Sequence, residues 1–331
     1  MKRKLRNALM MTGILALVFA SAAFAEEADP GTETAVSETE VNVIDTEPGT
    51  AVYVGRALSD PFCTKLGNRF AEMMETYYPD WECIVLDSEN DPEKEATNYE
   101  TLLTTLEEGD VVLVTVLSGT DTKPYIQRLK DAGIVVVSIN ITADGLCAAT
   151  VAKDYDMGYL VGAYVRDNAP DDTKIAMMNG DSGYQLSFER RDGMVAAIEE
   201  REDLEIIVEQ DCKFDKTTGM ETMEDWLQLY GDEIGAVIGG NDGMVLGAIE
   251  AYKSGGYSLD GKLFVGIDGL ADACTSIENG EQTASILQDA NAMIGVGLEL
   301  AMRQVAGEEV EQTDYYTDSV VITKENVAQY K

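Results

Sequence analysis

Histidine is absent from this 331-residue sequence. That removes imidazole general bases and histidine-ligated metals from consideration. Cysteine is scarce: Cys63, Cys83, Cys147, Cys212 and Cys274 are widely spaced, odd in number and never in a CxxC pair. A zinc ribbon or a thioredoxin-type centre is therefore excluded. Most of these thiols are expected to be free and buried, with at most one disulfide whose partners the sequence does not identify. The loops GxGxxG and GxxxxGK[ST] are both lacking, so nucleotide-binding folds lose support, and so is the D-x-[DN]-x-[DN]-G calcium loop. Positive charge is scarce as well, with 24 Lys and Arg against 61 Asp and Glu, a net of −37. Such a field repels nucleic acid, anionic lipid and phosphorylated ligands.

Long apolar runs are also few. One stands at the front, Ala8 to Phe19, preceded by Lys2, Arg3, Lys4 and Arg6 and followed by Ala23-Phe24-Ala25. Basic, apolar, then small-x-small is the order of a cleaved secretory signal, assigned here to residues 1–25. A spanning helix wants roughly 20 apolar residues, so an uncleaved anchor is disfavoured. No cysteine follows the run to carry a lipid. Cleavage leaves 20 basic against 61 acidic residues, a net of −41. Residues 26–50 are acidic, lack aromatics and show no periodicity, and are read as a disordered spacer.

What remains, about 280 residues, is too long for one ordinary core and suits two lobes. Short continuous apolar runs such as TAVYVGRAL, WECIVLDS, DVVLVTVLS, GIVVVSIN, TKIAMMNG and LEIIVEQD alternate with helical stretches. The helices are expected at Cys63–Thr76, Pro92–Leu106, Lys123–Ala132, Met157–Asp167, Phe188–Glu200 and Lys216–Tyr230. This rhythm predicts an α/β protein with two parallel sheets of about five or six strands each, flanked by helices on right-handed crossovers. From Gly235 to Gln288 the pattern is clearest: three strand-like runs end in Asn241-Asp242, in Asp268 and in Gln288. Ligands of open α/β sheets sit at the carboxyl ends of the strands, so three hydrogen-bonding side chains at one edge suit a hydroxyl-rich ligand. Asp60 projects at the end of the first strand, where it also suits a helix cap before Pro61. Phe62 and Phe214, one from each half, form a pair able to cover the apolar faces of a sugar ring. Arg190 and Arg191 open a helix near Asn179-Gly180-Asp181.

Over nearly all of residues 51–330 the chain resembles the periplasmic sugar-binding proteins of the ribose and galactose/glucose type. The resemblance runs through SDPF (59–62), LDSENDPEKE (86–95), DAGIVVVSIN (131–140), KDYDMGYLVG (153–162) and ERRDGM (189–194). It continues through NDGMVLGAIEA (241–251), VGIDG (265–269), SILQD (285–289) and ITKENV (322–327). The resemblance implies a two-lobed type I periplasmic-binding-protein fold with a three-stranded hinge. Lobe I would hold residues 51–153 and 289–317, lobe II residues 154–288 and 318–331. It also implies ligand contacts at Asp60, Phe62, Asn140, Arg190, Phe214, Asn241, Asp268 and Gln288. Phe62 and Phe214 would stack on the ring, Asp60, Asp268 and Arg190 would make charge-assisted bonds to hydroxyls, and the amides would supply donors and acceptors.

The sequence departs from that pattern at Asn140-Ile141, where the ribose type has a carboxylate and an arginine. Arg56 stands where a small residue is usual, Ser118 replaces an asparagine, and Tyr184 and Leu186 replace polar contacts; Arg56, Ser118 and Tyr184 are added to the expected pocket. The function implied is capture of a neutral monosaccharide for an ABC importer permease, without cofactor, metal or catalysis, by an exported monomer of the periplasm or cell surface. A role as ligand-presenting partner of a chemoreceptor or histidine kinase, or binding of a non-sugar polyol, is the alternative. Nucleic acid is not an expected partner.

Overall fold

A computed structural model describes residues 42–143 and 145–331. The assigned export signal lies outside the described residues, as does the spacer up to residue 41. Residues 42–49, placed in the spacer on sequence, lack regular structure but are packed: Ile44 rests on the core and its N–H donates to the Tyr78 hydroxyl at 3.1 Å. Thr50 already belongs to the first strand. The spacer reading is corrected for these nine residues, because one aliphatic side chain and one backbone bond suffice to dock them.

The elements alternate as the apolar runs suggest. The first half runs β1 (Thr50–Gly55), α1 (Pro61–Tyr77), β2 (Glu82–Asp87), α2 (Pro92–Thr105), β3 (Val111–Val114), α3 (Lys123–Asp131), β4 (Val135–Ile139) and β5 (Ala148–Ala152). There follow α4 (Asp154–Asn168), β6 (Lys174–Asn179), α5 (Gln185–Ile198), β7 (Glu205–Asp211), α6 (Lys216–Tyr230), β8 (Ile234–Gly239) and α7 (Asp242–Gly255). The chain closes with β9 (Leu263–Asp268), α8 (Ala271–Asn279), β10 (Ala284–Leu287), α9 (Ala290–Val305), β11 (Asp314–Thr317) and β12 (Val321–Ile322).

Two six-stranded sheets result, in the order β11-β5-β4-β3-β1-β2 and β12-β10-β9-β8-β6-β7. All pairings are parallel except β10 with β12. Alternation along each strand feeds two cores. In the first sheet Ala51, Tyr53, Leu113 and Ile139 face α1 and α9, while Val52, Val54, Val112 and Val136 face Tyr99 and Leu102 of α2 and Ile126 and Leu129 of α3. Burial on both faces is why these strands read as unbroken apolar runs. α4 packs on β9 and β10 of the second sheet, and α9 on β3, β4 and β5 of the first. The chain therefore passes between sheets after β5, after β10 and between β11 and β12.

Helix starts carry the scarce prolines. Pro61 and Pro92 open α1 and α2 behind the capping carboxylates of Asp60 and Asp91, where a missing N–H costs nothing. All five cysteines are free thiols, four of them buried and Cys83 exposed. Among the described residues no helix is long and apolar enough to cross a membrane, and no acidic or thiol cluster is arranged to hold a metal.

Candidate functional site

The carboxyl ends of the two sheets face each other across a cleft. Asp60 follows β1 and caps α1, accepting from the N–H groups of Phe62 (2.8 Å) and Cys63 (3.3 Å). Asn140 follows β4, Asp268 ends β9, and Gln288 follows β10. Asn241 follows β8 and caps α7 by accepting from Met244 N–H at 3.0 Å, while its amide donates to the Phe214 carbonyl at 3.0 Å. Nine of the eleven residues expected from sequence line one chamber: Arg56, Asp60, Phe62, Asn140, Arg190, Phe214, Asn241, Asp268 and Gln288. Cys63, Ile141 and Leu186 complete its wall.

Two expectations need correction. Ser118 lines neither this chamber nor the cavity beside it. It lies four residues beyond the end of β3, in the loop before α3, where its hydroxyl accepts from Asp121 N–H at 3.2 Å. Tyr184 borders the adjoining cavity instead of the chamber. Its ring lies under the Arg56 guanidinium, 4.7 Å from ring centroid, and its hydroxyl donates to Asn90 at 3.0 Å.

Backbone strain concentrates at this edge. Asn140 (φ +68°), Phe214 (φ +59°) and Asp268 (φ +124°) all occupy the region that glycine prefers. Such conformations cost about 1–3 kcal/mol each and persist where surrounding structure imposes them, commonly at functional sites. At Phe214 the cause is visible: the turn lays the ring flat over Gly180, where a Cβ would fall 2.0 Å from the ring.

Arg190 is the best-anchored group. It is 3% exposed and donates to Asp154 (2.7 Å), to the Gly240 carbonyl (2.7 Å) and to Gln288 (3.0 Å). Gln288 passes the chain across the cleft by donating to Asn140 at 2.5 Å. Helices α4 and α5 approach so closely that a Cβ on Gly158 would lie 1.9 Å from the Arg190 carbonyl oxygen. That close approach brings Asp154, at the start of α4, within reach of Arg190. Arg191, one position on, instead forms an exposed two-pronged pair with Glu209 at 2.9 Å. Sequence reasoning missed Asp154; its only signal was an acidic residue at a helix start, common enough to carry no weight.

Charge in the chamber is largely spoken for. Asp60 pairs with Arg56 at 2.8 Å and Asp154 with Arg190. Asp268 is different. It is 3% exposed, and among the described residues nothing donates a hydrogen bond to its carboxylate. Burial raises its pKa well above the ordinary carboxylate range, with the negative charges of Asp242 and Asp60 adding to the rise and Arg190 and Lys65 opposing it. Beneath it Asp242 is fully buried and satisfied by Ser285 (2.7 Å), Gln282 (2.8 Å) and Leu270 N–H (3.1 Å). Burial still pushes its carboxyl up to about 6.

The family model for a periplasmic binding protein domain matches residues 51–309. The chain belongs to this family. It is 29% identical to the ribose import binding protein of Bacillus subtilis over 70% of this chain and 73% of that one. It is 24% identical to a xylitol-binding protein of Mycolicibacterium smegmatis, over 77% of this chain and 73% of that one. Among solved structures, an ABC transporter solute binding protein from Bacillus halodurans with bound myo-inositol is 28% identical. It superposes with a TM-score of 0.74 over 86% of this chain and 97% of its own. The periplasmic binding protein fold accounts for the paired sheets and for a ligand chamber built at their facing edges.

Proposed function

We propose that this protein captures a neutral monosaccharide or similar small polyol between its lobes and delivers it to the permease of an ABC importer. The observation that carries the reading is Asp268: a buried carboxylate without a donor, at the end of a strand, in a chamber it shares with an aromatic pair and three amides. A buried acceptor left unpaired costs about 1–3 kcal/mol, more when charged, and vicinal hydroxyls are the donors that fit. Relatives named for ribose and for xylitol, and a neighbour holding myo-inositol, support a polyol ligand without selecting one. Among the described residues both arginines of the chamber wall are paired, Arg56 with Asp60 and Arg190 with Asp154, which leaves little to attract a phosphate.

Closure belongs to the mechanism. Lys65 donates to the Gly269 carbonyl at 3.0 Å, Tyr184 to Asn90 and Gln288 to Asn140, each bond joining one lobe to the other. The cavity left between the lobes measures about 30 Å³, room for water-sized guests, so a ring enters only as the lobes part. The crossings near Lys153, Asp289 and Asp318 serve as the hinge, dividing lobe I (51–153, 289–317) from lobe II (154–288, 318–331). A closed form is what a permease distinguishes from an open one. The protein works as an exported monomer in the periplasm or at the cell surface, and its role is binding, not turnover.

Thermal unfolding in the presence of pentoses, hexoses, pentitols, inositols, sugar phosphates and amino acids tests this. A neutral polyol at 100-fold its Kd should add about 2.7 kcal/mol of stability, and sugar phosphates should add none. Stabilisation by amino acids or sugar phosphates alone would overturn the reading.

A further inference from the structure

A second cavity of about 200 Å³ adjoins the ligand chamber and shares three of its walls, Asn140, Ile141 and Leu186. Ile141 and Leu186 come from opposite lobes, so the wall that the two spaces share is an apolar neck with one amide beside it. Beyond the neck, Val151 and Ala152 at the end of β5 contribute apolar wall, and Tyr184 and Tyr316 supply aromatic rings. Two carboxylates complete it with acceptor capacity to spare. Among the described residues Asp314 has no hydrogen-bond or ion-pair partner, and Glu189 accepts only from the Gln185 amide at 3.3 Å. Asp154, which also borders the cavity, is committed to Arg190.

Apolar wall, aromatic ring and unspent carboxylate are the same chemistry that the first chamber offers to a polyol. We infer that the second cavity is a subsite for a second hydroxylated unit, so that the preferred ligand is an uncharged glycoside: one monosaccharide or cyclitol unit in the first chamber, O-linked through the Ile141–Leu186 neck to another. The inference rests on the polyol-binding reading and extends it. Glu189 and Asp314 weigh against a phosphate or uronate as the attached group, since the cations at the rings, Arg56 over Tyr184 and Lys153 over Tyr316, lie behind the cavity's aromatic walls, and the mixed wall offers hydroxyls more than a plain alkyl chain would use. Ile141, at the position where the resemblance leads one to expect an arginine, keeps this shared wall apolar.

Titration calorimetry with D-glucose, D-galactose, D-xylose and myo-inositol, set beside cellobiose, maltose, lactose, melibiose, xylobiose and galactinol, tests the assignment. At least one glycoside should bind about 10-fold more tightly than its parent unit. Thr142→Trp, which fills the second cavity from its rim, should bring that ratio to within about threefold while leaving the parent's affinity within about threefold. Glu189→Ala, which only removes an acceptor, should lower the ratio without loss of folding. If parent units bind and no glycoside exceeds its parent, or if the preference survives both substitutions, the second cavity is not a subsite, and the monosaccharide reading stands alone. If neither class binds, both conclusions fall.

Discussion

Replacing Arg190 with alanine removes a guanidinium that is 3% exposed and held by three hydrogen bonds of 2.7, 2.7 and 3.0 Å. The Asp154 side chain left behind is 9% exposed, and burial already raises its pKa against the opposing pull of Arg190. Breaking a buried pair from one side costs about 3–5 kcal/mol, and the orphaned Gly240 carbonyl and Gln288 amide fall within that figure. Urea unfolding of the ligand-free protein at pH 7 should show this loss in full. Arg191→Ala, which breaks only an exposed pair with Glu209, should lose about 0.2–1 kcal/mol. The deficit should also depend on pH. Without Arg190, folded Asp154 holds its proton to a higher pH than the unfolded chain does, so the variant loses stability as pH rises above the unfolded carboxylate range. The double variant Arg190→Ala, Asp154→Ala buries no unpaired charge and should recover part of the loss. A single-variant loss below about 1 kcal/mol, or one matched by Arg191→Ala, would refute the claim that Arg190 is the anchor of the second lobe's edge.

Other consequences are equally direct. Phe214→Ala should weaken polyol binding about 10-fold while costing less in ligand-free stability than the roughly 3–5 kcal/mol of a core phenylalanine, because the ring is only half-buried; calorimetry and urea melts separate the two effects. Gly158→Ala drives a methyl into the Arg190 carbonyl and should destabilise by about 1–3 kcal/mol or more, readable as a lowered urea midpoint. Asp242, with a folded pKa of about 6 against an ordinary 3.8, binds a proton between about pH 4 and 6 that the unfolded chain has released. Its contribution therefore declines as pH rises through that window, by up to about 3 kcal/mol. Asp242→Asn should reduce the slope in unfolding free energy measured from pH 4.5 to 7, the remainder coming from Asp268, whose carboxyl burial also raises.

Much of the fold was readable because parallel strands buried on two faces write continuous apolar runs, and Asp-Pro steps mark helix starts. α6 falls on the expected Lys216–Tyr230, and α1 starts two residues early because Asp60 caps it and Pro61 opens it. The strands that escaped notice have physical reasons. β5, AATVA, is small and weakly apolar, and β11 (DYYT) and β12 (VI) are short edge pieces held mainly by pairing with β5 and β10. In the site, strand-end residues were legible because the carboxyl edge of a sheet is fixed by topology. Contacts between lobes were not. Nothing in the sequence near Arg56 states that it will lie on Tyr184 of the other lobe. Within a lobe, nothing near Ser118 shows that its hydroxyl turns to the Asp121 N–H of its own loop.

Asp268 is the group proposed to take the ligand's hydroxyls. Titration calorimetry of the wild type and of Asp268→Ala, each with the neutral polyol that stabilises the wild type most, measures that role alone. Affinity should fall at least about 10-fold, while ligand-free stability holds or rises as an unpaired buried carboxylate is removed. Unchanged affinity with Asp268→Ala would contradict it.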